Sequence, residues 1–185
     1  MPPYKPTRKE IREAYGKKIP DLIARDLRVL FCGINPGLYS GAAGHHFARP
    51  GNRFWRVLFA AGFTRRLLSP FEEHELLEVG CGITNLVERA TAGADELSRG
   101  EFIEGAEKLA LKVREFSPHH VAFLGIQAYR LAFNRSHAAA GRQEEELDGA
   151  AVWVLPSPSG LNAYYRFEDM VRYYRELKIE ADRKE

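Results

Sequence analysis

Cysteine is scarce in this 185-residue chain, which has only Cys32 and Cys81. Two thiols build no disulfide framework and supply no four-thiolate iron–sulfur or zinc site, so a reduced, cytoplasmic protein is expected. No apolar run approaches the roughly 18 residues of a membrane span. Met1 to Ile19 is basic and proline-rich without an apolar centre, so no secretory signal is expected either. Charge of one sign is also lacking, with 27 Lys and Arg against 25 Asp and Glu. A nucleic-acid surface would therefore have to come from local arrangement. The glycine-rich stretch GINPGLYSGAAG lacks the Gly-Lys-Ser/Thr ending of a P-loop, and its glycines do not make GxGxxG. The serines of LPSPSGLN form no GxSxG elbow. There is no internal repeat or low-complexity linker.

The histidine pairs His45-His46 and His119-His120 invite a metal reading. Adjacent side chains of an extended segment point to opposite faces, so neither pair chelates one ion. The histidines are expected to be ordinary loop or surface residues, with no metal and no cofactor.

Three short apolar runs, Leu27 to Cys32, Val121 to Leu124 and Val152 to Leu155, suit strands buried on both faces, and Ile83 to Val87 is a weaker fourth. Helical patterns lie between and after them at Arg53–Ala61, about Phe71–Val79, Ser98–Phe116, Ile126–Phe133 and Phe167–Ala181. Ser98-Arg-Gly-Glu101 has capping-box spacing. The alternation predicts a three-layer α/β/α sandwich with a mostly parallel sheet. We expect a partly helical N-terminal extension over residues 1–26, one domain over 27–180 and a frayed tail over 181–185. The strong strands end in GINPG, LGIQAY and LPSPSGLN, which should share a cleft at the carboxyl edge of the sheet. Asn35-Pro36-Gly37 also reads as a sharp turn, with Gly37 accepting positive φ.

Two of these loops, GINPG and LPSPSGL, with RPGNRFW between them and CGITNLVERAT at 81–91, resemble the mismatch-specific uracil-DNA glycosylases, the branch that includes bacterial Mug and thymine-DNA glycosylase. The likeness spans about Leu27 to Leu177. It implies a glycosylase that cuts the N-glycosidic bond of uracil in double-stranded DNA, preferring mispaired uracil, works without a cofactor and leaves an abasic site. It further implies that Asn35 positions the attacking water and that Ser40 lies near C5 of the pyrimidine. Main chain around Ile34 and Phe47 would read the base edge, with Gly37 and Asn85 also at the base, and Asn85 stands where a Lys is expected. The loop Ser159-Gly160-Leu161-Asn162 would enter DNA from the minor groove, and Ala163 stands where relatives carry an Arg.

Physical reasoning agrees with that implication. A base inside a duplex must be flipped out, at a cost that is smaller for a mispair. Phe47 would give the flipped base a stacking surface, and Leu161, apolar on a Pro/Ser/Gly loop, suits a wedge. Arg49 and Arg53, with Ser159, would hold phosphates. Asn35 is no base, so Asp95 in ERATAGADELS is a second catalytic candidate, as general base or electrostatic stabiliser. The expected partner is DNA bearing uracil or a mispaired or damaged base, bound by a monomer away from any membrane. Rival readings are a broad glycosylase for ethenocytosine, hypoxanthine or oxidised pyrimidines, a catalytically silent DNA-binding module, and an enzyme of free nucleotides.

Overall fold

In the computed structural model, which describes residues 4–183, five strands form one sheet. They are β1 (Val29–Gly33), β2 (Cys81–Asn85), β3 (His120–Leu124), β4 (Gly141–Leu147) and β5 (Ala150–Leu155), in the order β2-β1-β3-β5-β4. All neighbours pair parallel except β4, which runs antiparallel to β5 at the edge. The helices are α1 (Arg8–Arg12), α2 (Leu38–Ala43), α3 (Phe54–Ala61), α4 (Glu75–Glu78), α5 (Arg99–Phe116), α6 (Ile126–Phe133) and α7 (Phe167–Ala181).

The period-2 alternation of strand side chains sets up two cores. Val29 and Phe31 of β1 face α3 and α7, in a core with Phe54, Leu58, Met170, Tyr174 and Leu177. Leu30 and Cys32 face α5 and α6, in a core with Phe102, Leu109, Val113 and Tyr129. The expected α/β/α sandwich is what the chain builds. Trp55 is buried in the first of these cores.

Ser98 caps α5 as the spacing predicts: its Oγ accepts from Glu101 N (3.3 Å), while Glu101 Oε2 accepts from Ser98 N (2.9 Å). The expected helix over Phe71–Val79 is instead a 3₁₀ turn, Pro70–Glu72, followed by the short α4. Two elements are additional. Strand β4 pairs with β5 through Asp148-Gly149, both at positive φ (46° and 88°), as a two-residue hairpin turn requires. Helix α2 fills the segment read as a glycine-rich loop.

Gly37 is not the left-handed turn residue expected of it. Its φ is −75°, it is the N-cap of α2, and it bridges to Thr91. Residues before β1 also pack into the body of the molecule. Ala14, Ile19 and Leu22 are buried, and Leu22 exchanges both main-chain hydrogen bonds with Ile83. The final two residues of the expected frayed tail lie outside the described residues.

Candidate active site

The parallel strands deliver their carboxyl ends to one side of the sheet, and a cavity of about 160 Å³ opens there. Gly33 ending β1 and Ile34 to Gly37 after it, Asn85 ending β2, Leu124 ending β3 and Ser157 to Ser159 after β5 all line it. Ser40, His46, Phe47, Arg49, Asn52, Thr91 and Leu161 complete much of the wall. The structure therefore brings together Ile34, Asn35, Gly37, Ser40, Phe47, Arg49, Asn85, Ser159 and Leu161.

Asn35 is half-buried, and its amide nitrogen is fully committed. Nδ2 donates to Thr91 Oγ1 (2.7 Å), Arg89 O (3.0 Å) and Pro36 O (3.2 Å). Two of these partners are carbonyls, which only accept, so the nitrogen and oxygen cannot exchange places without opposing oxygen to oxygen. Oδ1 is left without a hydrogen-bond donor among the described residues. Thr91, 1% exposed, passes its own hydroxyl proton to Gly93 O (2.8 Å). Main-chain bonds from Thr91 N to Pro36 O and from Leu38 N to Thr91 O (3.1 Å each) clamp the two loops together.

Phe47 has φ 53°, a conformation that bulky side chains rarely adopt. The strain is held by its neighbours. Its ring rests on Phe54, with centroids 4.1 Å apart, and Ser40 Oγ accepts from Ala48 N (3.0 Å). Gly33 makes room for it, since a Cβ there would sit 2.6 Å from Asn85 Oδ1 and 3.2 Å from the Phe47 ring. Phe47 N–H has no partner among the described residues.

His46 corrects the expectation of an ordinary loop histidine: it is 2% exposed and lines the cavity. Its Nε2 lies 3.0 Å from Pro20 O, a pure acceptor, which assigns the proton to Nε2. Nδ1 is then the acceptor for Asn85 Nδ2 at a long 3.4 Å. Burial pushes the His46 pKa below its usual value, which keeps the ring neutral. Glu73, itself buried, grips this loop twice, at His45 Nδ1 (2.8 Å) and His46 N (2.9 Å). The broken helix at 70–78 thus supplies the anchor of the cavity wall.

On the other side, the loop after β5 is held by Arg53. Its guanidinium donates to the carbonyls of Ser159 (2.8 Å), Asn162 (2.7 Å) and Tyr165 (3.1 Å). Its NH groups are turned onto the loop, where the sequence suggested a phosphate contact, whereas Arg49 is exposed at the cavity edge. Asn162 braces the same loop, donating from Nδ2 to Ser157 O (3.0 Å) and accepting at Oδ1 from Tyr164 N (3.2 Å). A Cβ on Gly160 would sit 2.8 Å from Gly51 O, so this glycine lets the RPGN and SPSGL loops touch. Leu161 stands 73% exposed at the mouth.

Asp95 does not join the other candidates. It is exposed on a 3₁₀ turn (Ala94–Glu96), and its carboxylate fills the space that a side chain at Gly93 would need. Gly93 and Ala94 line the cavity, but Asp95 does not. The neighbouring Glu96 caps the same turn, accepting from Ala92 N (2.9 Å) and Gly93 N (3.1 Å).

Comparison with known proteins agrees with this architecture. Residues 20–178 match the family model described as the uracil DNA glycosylase superfamily. The solution NMR structure of a candidate uracil DNA glycosylase from Methanosarcina acetivorans superposes with a TM-score of 0.56 at 18% identity, over 88% of this chain and 98% of the other. That likeness is one of fold.

Proposed function

We propose that this chain, which belongs to the uracil DNA glycosylase superfamily, is a monofunctional glycosylase of the mismatch-specific branch. In this reading it acts as a cytoplasmic monomer that removes uracil from double-stranded DNA, prefers uracil opposite guanine and leaves an abasic site. The observation that carries it is the fixed amide of Asn35, whose nitrogen is tied down on three acceptors while its oxygen is left open in a cavity sized for a small ring.

Such an oxygen accepts a hydrogen bond from water and orients one lone pair of that water. It does not take the proton. Glycosidic cleavage passes through an oxocarbenium-like sugar, so a weak nucleophile held in line is sufficient. The C1′–N1 bond breaks with its electron pair going to uracil, the water oxygen bonds to C1′, and the water proton leaves to solvent. The departing base is held by Phe47, whose ring is buttressed for stacking, and by donors that meet its oxygens, among them Phe47 N–H. Asn85 offers an acceptor and a donor on one amide, which complements the N3–H and O4 edge of uracil.

Ser40 closes the wall near C5, and Gly37 and Ile34 form the turn above the base. Among the described residues no lysine lines the cavity, and a lining without an amine suits a hydrolytic, monofunctional course. Leu161 enters the vacated position in the helix, on a loop whose Ser159, Gly160 and Asn162 lie along the backbone. Arg49 meets a phosphate. A mispaired base costs less to extrude, which favours G·U over A·U.

The test is to incubate purified protein with G·U, A·U and G·T duplexes and with single-stranded uracil DNA, following free base by mass spectrometry and strand breakage after alkali. Uracil release with alkali-dependent breakage, fastest on G·U, is the expected result. Tight binding without base release would contradict the reading.

A further inference from the structure

Leu161 is one of two large apolar side chains that the loop after β5 holds in water. The other is Tyr164, 86% exposed, the most exposed of the large hydrophobic side chains among the described residues. A phenol ring left this bare beside a DNA-facing wedge has the chemistry of a stacking surface, since every nucleobase offers a π face. Tyr164 sits on a braced stretch of backbone. Its N–H donates to Asn162 Oδ1 (3.2 Å), and its ring meets Tyr165 edge-on with centroids 5.0 Å apart. The carbonyls of Asn162 and Tyr165 on either side are pinned by Arg53. The backbone that carries Leu161 and Tyr164 is therefore braced on both sides.

The two side chains face different ways. Leu161 borders the base cavity, whereas Tyr164 and Tyr165 border a second hollow of about 460 Å³ walled by Gly125, Ile126, Gln127 and Arg130. The loop stands between the two. Tyr164 thus lies on the flank of the loop turned away from the base cavity, clear of the path of an extruded nucleotide. Ala163, directly before it, has only a methyl group to offer.

We propose that Tyr164 is a second DNA-contacting prong that stacks on a nucleobase of the complementary strand, next to the base left unpaired, and so stabilises the opened duplex. This rests on the glycosylase reading and deepens it. Tyr164 touches no reacting atom and acts by holding the duplex open.

The test compares wild type, Tyr164→Ala and Tyr164→Phe. On a G·U duplex under single-turnover conditions, Tyr164→Ala should slow excision by roughly 5- to 100-fold, the range that one base–aromatic stack gives. Tyr164→Phe should stay near wild type, and single-stranded uracil should be excised equally by all three. In parallel, 2-aminopurine is placed in the complementary strand beside the base opposite uracil. Bound wild type and Tyr164→Phe should leave it quenched by stacking, and bound Tyr164→Ala should leave it bright.

An unchanged duplex rate in Tyr164→Ala, an equal loss on single strands, or equal probe fluorescence with bound wild type and bound Tyr164→Ala would overturn the proposal. If wild type binds but releases no uracil, the glycosylase reading fails instead. The fluorescence comparison still decides the role of Tyr164, because it requires no bond cleavage.

Discussion

Replacing Thr91 by Val keeps the shape of a fully buried side chain and removes one hydroxyl. That hydroxyl accepts from Asn35 Nδ2 at 2.7 Å and donates to Gly93 O at 2.8 Å, so two hydrogen bonds vanish together. Each is worth about 0.5–1.5 kcal/mol net, which predicts a stability loss of roughly 1–3 kcal/mol. The catalytic effect should be smaller than deletion of the amide. Arg89 O and Pro36 O still hold Nδ2, so the oxygen should keep its direction into the cavity but be less tightly aimed at the proposed water. Losing about 1–2 kcal/mol of that orientation corresponds to roughly a 5- to 30-fold slower single-turnover excision. Thr91→Ser retains the hydroxyl and should recover most of the rate. The assay is uracil release from a G·U duplex with enzyme in excess, run well below each variant's melting temperature. A wild-type rate in Thr91→Val, or a Ser variant as slow as the Val variant, would refute the claim that the hydroxyl positions Asn35.

Three further outcomes are expected. Phe47→Ala should weaken capture of the flipped base by about 1–3 kcal/mol, seen as lower affinity and rate on G·U duplex, and unchanged values would make Phe47 a packing residue only. Leu161→Ala should slow excision from duplexes and spare single-stranded uracil, where no stack needs opening; equal losses would remove the wedge. For His46, burial holds the folded-state pKa below the unfolded value of about 6.5. The unfolded chain then binds more protons, so this contribution to stability is present above about pH 6.5 and is lost as pH falls through the folded pKa. Chemical denaturation at a series of pH values should show that acid decline, with His120, also depressed by burial, contributing to it. His46→Gln should flatten the decline in part, and an unaltered slope would mean that His46 is not held neutral.

Much of this was legible in the sequence because hydrophobic period and capping chemistry agree locally. Helices α6 and α7 begin and end where the pattern ends, and the Ser98 box forms as spelled. Strand β4, GRQEEEL, was hidden because it is a polar edge strand with no apolar run; its signal was the Asp148-Gly149 turn. Helix α2 was hidden by Gly41 within it and by its capping Gly37 and Gly44; Gly41 sits where a Cβ would come within 2.9 Å of Ala90. At the site, residue types were readable and partnerships were not. Thr91 lies 56 positions from Asn35 and meets it only through the pairing of two loops. His46 looked like a loop residue because its burial depends on Pro20, Glu73 and Asn85, each from a different segment. Arg53 reads as a free cation in sequence, yet three carbonyls of a distant loop claim it.

The claim that the Asn35 amide, and not a carboxylate, directs the water is tested most directly by single-turnover uracil excision from a G·U duplex by wild type, Asn35→Ala and Asp95→Asn. Wild type should release uracil, Asn35→Ala should lose on the order of 10²–10⁴-fold, and Asp95→Asn should release it at near the wild-type rate. Substantial activity in Asn35→Ala together with a collapse in Asp95→Asn would contradict it.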